Sequence, residues 1–139
     1  MGKSDRVFVD SNVWFSYFWG SKTIQRLIDA LRDKKRLVIS ELVLAEVAEN
    51  IKLKLPSVLD EVRNVFTIFP LTVVKDPDLK TVSQVKKYCD SKDAPILAAC
   101  LKSNSGFLIT DNLKDFQVKK IKKMLGITVI SPSQFLKRK

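Results

Sequence analysis

Short apolar blocks and longer amphipathic blocks alternate along this chain. The short blocks are apolar on both faces, which is typical of buried parallel strands. They comprise residues 7–9, 37–39, 69–74, 107–109 and 127–130. Pro70 interrupts the third block, so that strand is expected at an edge of the sheet.

Segments with helical spacing separate these strands. Ser21 can cap a helix from Lys22 to about Lys35, and Ser40 can cap another through about Leu55. The other predicted helices cover residues 13–18, 58–66, 76–89, 94–101 and 118–125, and residues 131–133 open a closing helical turn. This alternation predicts a three-layer α/β/α domain with a mainly parallel sheet of about five strands.

Length and composition fit one globular domain over residues 1–139, with 45% hydrophobic and 29% charged residues. No apolar run approaches the ~20 residues that span a bilayer. The first residues lack the hydrophobic stretch of a signal peptide. Cys89 and Cys100 do not have metal-type spacing and are expected as reduced, small hydrophobes. We therefore expect a cytoplasmic protein with no membrane partner.

The net charge of the chain indicates which class of partner it can bind. Lysine and arginine number 25 against 15 acids, for a net charge of +10. A field of this sign attracts phosphate backbones, which favours nucleic acid as a partner, although a lysine-rich surface also serves solubility. The chain contains no histidine. That absence excludes Ser-His-Asp and Cys-His catalysis and most zinc sites, so an enzyme here must use carboxylates, hydroxyls, lysines or a bound metal.

Acidic residues occur where the predicted strands end. Asp10 follows the first strand, and Asp111 follows the fourth with only Thr110 between. Because the carboxyl ends of parallel strands meet at one edge of a sheet, both are expected in the same crevice. The alternative is that Asp10 and Ser11 only cap the following helix.

Three further acids complete the candidate set. Glu46 interrupts an apolar helical run, Asp93 opens an almost wholly apolar helix, and Asp115 lies in the loop after the fourth strand. Taken singly, Glu46 could face solvent, Asp93 could be a helix cap and Asp115 a surface acid. Taken together, converging carboxylates repel unless cations neutralise them, and clustered hard oxygens suit Mg²⁺ or Mn²⁺. Such ions activate water for phosphodiester hydrolysis.

Five short motifs in order resemble the PIN-domain family over nearly the whole chain. They are Val9-Asp10-Ser11-Asn12-Val13, Ile39-Ser40 with Glu46, Asp93-Ala94-Pro95-Ile96-Leu97-Ala98-Ala99, Leu108-Ile109-Thr110-Asp111-Asn112-Leu113-Lys114-Asp115-Phe116, and Ser131-Pro132-Ser133-Gln134-Phe135-Leu136. The resemblance implies a Mg²⁺/Mn²⁺-dependent ribonuclease, often the toxin of a VapC-type toxin–antitoxin pair and often a homodimer. It also implies that the first and fourth strands are neighbours, and it matches Asp10, Glu46 and Asp93 to the family's first three acids.

The fourth acid departs from the family pattern. Many relatives carry Thr-x-Asp, whereas this chain reads Thr110-Asp111-Asn112. Asp111 or Asp115 could substitute, and Asn112 could still ligate through a neutral oxygen. The resulting hypothesis has Asp10, Glu46, Asp93 and Asp115 as metal ligands, with Asp111 as a further catalytic acid. Hydroxyl and amide side chains would orient these acids. They are Ser11, Asn12, Thr110 and Asn112.

Three functions compete for this pattern. The leading hypothesis is a metal-dependent endoribonuclease with RNA as substrate and an antitoxin protein as partner. The alternative is a catalytically weak or inactive PIN-like module that binds RNA or acts as a scaffold, which Asn112 favours. A phosphatase with Asp10 as nucleophile loosely fits the haloacid dehalogenase pattern, but that pattern expects a second aspartate where Asn12 stands.

Overall fold

The computed structural model describes residues 4–138 of the chain. Its strands are β1 (Ser4–Val9), β2 (Leu37–Ser40), β3 (Thr72–Val74), β4 (Ser105–Ile109) and β5 (Thr128–Ile130). They form one sheet in the order β3-β2-β1-β4-β5, and every neighbouring pair is parallel. The predicted domain, residues 1–139, includes four positions outside the described residues.

Helices flank this sheet and complete the three-layer α/β/α architecture that the sequence predicts. They are α1 (Ser11–Trp19), α2 (Lys22–Asp33), α3 (Glu41–Lys54), α4 (Leu59–Ile68), α5 (Leu79–Val85), α6 (Ala94–Lys102), α7 (Val118–Leu125) and α8 (Pro132–Lys137). Short 3₁₀ turns occupy Pro56–Val58, Lys86–Tyr88, Ser91–Asp93 and Leu113–Asp115. Within residues 4–138, no helix combines the length and the apolar character needed to cross a bilayer.

The local signals set most of the boundaries. Ser21 and Ser40 cap α2 and α3 through side-chain oxygens that accept from Ile24 N and Val43 N. The third strand is at the edge, as Pro70 predicts, but it begins at Thr72 rather than Phe69. The reason is local, since Leu71 N donates to Phe69 O at 2.8 Å and closes a tight turn around the proline.

The sheet order creates a crevice beside β1. The chain passes from β1 to β2 and β3 on one side, then crosses to β4 and β5 on the other. Ligands of open α/β sheets bind where the order reverses in this way, beyond the carboxyl ends of the strands. Val9 pairs with Ile109 across β1 and β4, so Asp10 and Thr110 follow at adjacent positions. This confirms that the first and fourth strands are neighbours.

The aromatic segment at the start of α1 is mostly core. Trp14 is fully buried and lies edge-on to Phe66, with ring centroids 5.0 Å apart. Phe18 is also buried and stacks on Trp14, whereas Trp19 is 59% exposed. The segment therefore packs α1 against α4, and Asp10 is the residue directly before α1.

Candidate metal centre

Asp10 is a buried residue whose backbone and carboxylate are both held by hydrogen bonds. Its backbone N–H donates to Ile109 O at 3.0 Å, and the residue as a whole is 3% exposed. Ser11 N donates to Oδ1 at 2.7 Å, and Thr110 Oγ1 donates to Oδ2 at 2.9 Å. Asp10 therefore caps α1, as the capping alternative predicts, and its position at the end of β1 remains compatible with the site hypothesis.

The Thr110 hydroxyl fixes the direction of this hydrogen bond. Asn112 N donates to Thr110 Oγ1 at 3.1 Å, so the hydroxyl proton is left for Asp10. Burial raises the pKa of Asp10, while the bonds from Thr110 and Ser11 lower it and the charge of Asp93 raises it. Asp10 thus carries a charge that its own hydrogen bonds compensate only in part.

Glu46 lies on α3 beside Ser11. The buried face of α3 consists of Val43, Val47 and Ile51, and Glu46 is solvent accessible despite its apolar surroundings in the sequence. Partial desolvation raises the pKa of Glu46, the charges of Asp10 and Asp93 raise it further, and a side-chain hydrogen bond with Ser11 lowers it. Glu46 therefore contacts solvent, as the exposed alternative predicts. It also lies close enough to Asp10 and Asp93 for their charges to raise its pKa.

Asp93 ends the 3₁₀ turn Ser91–Asp93 and precedes α6. It occupies the cap position, but its side chain accepts no N–H from the helix. It is buried, and its Oδ2 lies 3.1 Å from Lys92 Nζ. Because its charge acts on both Asp10 and Glu46, the three acids form one electrostatic group.

Asp115 belongs to a second, tighter acidic cluster. One carboxylate oxygen from each of Asp90, Asp93 and Asp115 lies within 4.8 Å of the others. Lys92 Nζ lies among them, 2.8 Å from Asp115 Oδ2 and 4.0 Å from Asp90 Oδ2. The Lys92 ammonium holds the pKa of Asp115 below its ordinary value, and the two carboxylates at bonding distance raise the pKa of Lys92.

Lys92 is the functional candidate that sequence reasoning missed. In the sequence it is one polar residue of a hinge, and only its position between Asp90 and Asp93 hints at ion pairing. The partner that matters, Asp115, is brought in by the fold. Asp90 N donates to Asp115 O at 3.0 Å, which joins the two loops, and Asp93 N donates to Asp90 O at 2.9 Å within the first loop.

The remaining predicted residues support the loop after β4. Asn12 Oδ1 accepts from Asp111 N at 3.4 Å, so Asn12 orients the backbone of this loop. Asp111 itself is largely solvent accessible, and partial desolvation raises its pKa. Asn112 is half-buried and starts the 3₁₀ turn Leu113–Asp115. The charges of Asp10 and Asp93 thus act on Glu46, Asp93 also lies in the 4.8 Å cluster with Asp90 and Asp115, and Asp115 pairs with Lys92.

Comparison with known proteins decides the family. A PIN domain family model matches residues 6–114, most of the chain, which includes Asp10, Glu46, Asp93 and Asp111. The chain belongs to the PIN domain family. A search of curated protein sequences finds no significant match.

Solved structures share the PIN fold at low identity. A toxin–antitoxin complex from Klebsiella pneumoniae is 21% identical with a TM-score of 0.67, over 91% of this chain and 97% of that one. DNA-bound VapBC from Salmonella typhimurium is 15% identical with a TM-score of 0.65, over 93% and 99%. VapC20 from Mycobacterium tuberculosis, a toxin that cleaves the sarcin–ricin loop, is 15% identical with a TM-score of 0.57, over 73% and 86%.

The PIN family implies a divalent cation, and the donor chemistry of this chain fits one. Asp10, Glu46 and Asp93 supply hard oxygen ligands and no soft ones. The pKa values of Asp10 and Glu46 are raised, by burial first and by neighbouring negative charge as well, which marks a site short of positive charge. Mg²⁺ keeps several waters and uses only one or two carboxylates directly, so the three acids need not all touch it.

Proposed function

We propose that this PIN domain is a Mg²⁺- or Mn²⁺-dependent endoribonuclease whose ion is held by Asp10, Glu46 and Asp93. The observation that carries the proposal is the buried Asp10 carboxylate at the crevice where the sheet order reverses, with the charges of Asp93 and Glu46 beside it. Repulsion within this group falls when a divalent cation binds.

The chain's own residues prepare this site in a defined way. Ser11 N–H and the Thr110 hydroxyl each bind one oxygen of Asp10, so the orientation of its carboxylate is fixed. The Ser11 side chain, 3.5 Å from Asp10 Oδ1, also interacts with Glu46 and holds it towards the crevice. When bound, the ion would lower the pKa of a water molecule and neutralise charge on the phosphodiester.

We propose one ion rather than two. A fourth carboxylate at position 112 would extend the site, but Asn112 is neutral. Asp115 does not fill this role, because its Oδ2 is 2.8 Å from the Lys92 ammonium. That ammonium already supplies positive charge to Asp115 and to the outer oxygen of Asp93, 3.1 Å away. Asp111 stays a candidate contact to substrate, since its carboxylate is accessible.

We also propose that the protein is the toxin of a toxin–antitoxin pair. The fold matches toxin–antitoxin complexes from Klebsiella pneumoniae and Salmonella typhimurium over nearly the full length of both chains. A protein antitoxin is therefore the partner we expect, together with assembly into a homodimer. Co-expression with the product of an adjacent small gene, followed by size-exclusion chromatography, tests both expectations.

Cleavage of single-stranded RNA with Mn²⁺, and then with EDTA, tests the activity. We expect cleavage that EDTA abolishes and that Asp10→Asn or Asp93→Asn reduces by at least about 100-fold, the scale at which loss of a catalytic group is felt. Asp33→Asn, at the exposed end of α2, is the matched control and should cleave normally. Cleavage that persists in EDTA or in Asp10→Asn would refute the proposal.

The neutral side chain at position 112 favours one alternative, a PIN module that binds RNA without cutting it. This alternative predicts RNA binding that does not depend on metal and no thermal shift on addition of Mn²⁺. The ribonuclease proposal instead predicts a Mn²⁺-induced rise in Tm that Asp93→Asn abolishes. The two outcomes exclude each other.

A further inference from the structure

Six exposed lysines lie on two segments that are hydrogen-bonded to each other. We name the surface that they cover the lysine face; it consists of Lys86, Lys87, Lys119, Lys120, Lys122 and Lys123. The last four belong to α7, in which Ile121 is the fully buried anchor. The first two belong to the 3₁₀ turn Lys86–Tyr88, so two separate segments contribute to the face.

Hydrogen bonds from Gln117 and a short antiparallel bridge join these two segments. Gln117 N donates to Tyr88 O at 2.9 Å, and Gln117 Nε2 donates to Lys87 O at 2.7 Å. Cys89 and Phe116 add an antiparallel bridge. As a result Lys87 and Lys120 border one shallow cavity of about 250 Å³, together with Tyr88 and Met124. The spacing of the positive charges is therefore built into the fold.

In the part of the chain that the structure describes, the lysine face makes no ion pair within 4.0 Å. The helix α7, residues 118–125, contains no acid. Among residues 4–138, the ion pairs within 4.0 Å involve Arg63 and Lys92, and none involves a lysine of this face. Like charges three and four residues apart on a helix repel by ~0.2–0.5 kcal/mol per pair. The fold therefore carries a repulsion that a bound polyanion would relieve.

The lysine face adjoins the segments that carry the acids. Residues 86–88 lead through Cys89 and Asp90 to Asp93, and α7 follows Asp115 by two residues. Asp90 N donates to Asp115 O at 3.0 Å, which joins both connections at the edge of the acidic group. A polyanion on this face would therefore lie along the approach to the crevice.

Composition indicates which polyanion fits. Protein interfaces favour aromatic residues and arginine and are depleted in lysine, whereas phosphate backbones are bound by lysine point charges. The two segments that carry the face, residues 86–88 and 118–125, contain no arginine, and their aromatic side chain, Tyr88, is buried. We propose that the lysine face binds the phosphate backbone of the RNA substrate, without reading its bases, and directs it to the candidate metal centre. The claim that the face directs RNA to the metal centre rests on the proposed function. The claim that the face binds RNA does not.

Binding of a labelled single-stranded RNA, followed by fluorescence anisotropy in EDTA over a range of KCl concentrations, tests the inference. The variant Lys87→Gln/Lys120→Gln/Lys123→Gln removes three charges from the face. Its control, Lys22→Gln/Lys34→Gln/Lys137→Gln, removes three exposed lysines elsewhere. Each lost phosphate contact lowers the slope of log K against log salt by about 0.7. The face variant should therefore lose about 2 units of slope and at least tenfold in affinity, and the control should lose much less.

Equal weakening in the two variants would mean that only net charge matters and would overturn the inference. So would wild-type protein that binds an acidic peptide but not RNA at the same salt. Cleavage assays separate this inference from the proposed function. If the face variant loses RNA binding while the wild type never cleaves RNA, the inference stands and the ribonuclease fails. If EDTA-sensitive cleavage proceeds with an unchanged KM in the face variant, the inference fails and the ribonuclease stands.

Discussion

Replacing Thr110 with valine keeps the shape of the side chain but removes the hydroxyl that donates to Asp10. Thr110 is fully buried, and its Oγ1 lies 2.9 Å from Asp10 Oδ2. A hydrogen bond to a charged group contributes about 1.5–3 kcal/mol. The N–H of Asn112 also loses its acceptor, but that residue is half-buried and water can replace part of the bond. We expect Thr110→Val to reduce the free energy of unfolding by about 2–4 kcal/mol at neutral pH.

The loss should depend on pH because only the charged carboxylate uses the bond fully. The Thr110 hydroxyl lowers the pKa of Asp10 relative to what burial alone gives, so the variant has the higher pKa. A bond that lowers a pKa stabilises the folded state above that pKa and loses its effect as the pH falls through it. The difference between wild type and variant should therefore be smaller at acid pH than at neutral pH.

Urea denaturation in EDTA measures this directly. Thr110→Ser is the control, since it keeps the hydroxyl and loses one methyl group, which costs about 0.8 kcal/mol at either pH. If Thr110→Val is no less stable than Thr110→Ser at neutral pH, or if its deficit stays constant on acidification, the described role of the hydroxyl is wrong.

Three further predictions follow from other contacts. Glu46→Gln should raise the Tm of the metal-free protein at neutral pH and leave it unchanged near pH 4. The reason is that the pKa of Glu46 is raised in the folded state, so its charged form lowers stability as the pH rises through that pKa. An unchanged Tm at neutral pH would contradict this. Burial raises the pKa of Cys89 to about 11, so iodoacetamide should label the native thiol at neutral pH at least tenfold more slowly than the unfolded one, and equal rates would contradict this. Gly126 ends α7 with φ 74°, so Gly126→Ala should lower the unfolding free energy by about 1 kcal/mol in urea titrations, and a stabilised variant would contradict the strain.

Local physical rules made the fold predictable from the sequence. Strands apolar on both faces and separated by capped helices leave few arrangements besides a covered parallel sheet, and Pro70 excluded the third strand from its centre. Its exact start was not predictable, because the turn that joins Phe69 to Leu71 depends on a single local hydrogen bond.

The candidate site was predictable only in its outline. Asp10 could be predicted as a site residue because it directly follows a buried strand. The carboxyl end of a parallel strand lies at the edge of the sheet where ligands bind. Glu46 is solvent accessible although its neighbours in the sequence are apolar, since a helix turns its side chains through every direction. The contact of Lys92 with Asp115 joins residues 23 positions apart across two loops, and loop pairing of this kind has no periodic signal.

Calorimetric titration of Mn²⁺ into the metal-free protein tests the central claim, that Asp10, Glu46 and Asp93 share one divalent ion. We predict a single site per chain that Asp10→Asn and Asp93→Asn abolish, that Glu46→Gln weakens, and that Asp115→Asn and Asp33→Asn retain. If Asp115→Asn abolishes binding while Asp10→Asn retains it, the ion belongs to the Lys92 cluster and the account of the metal centre is contradicted.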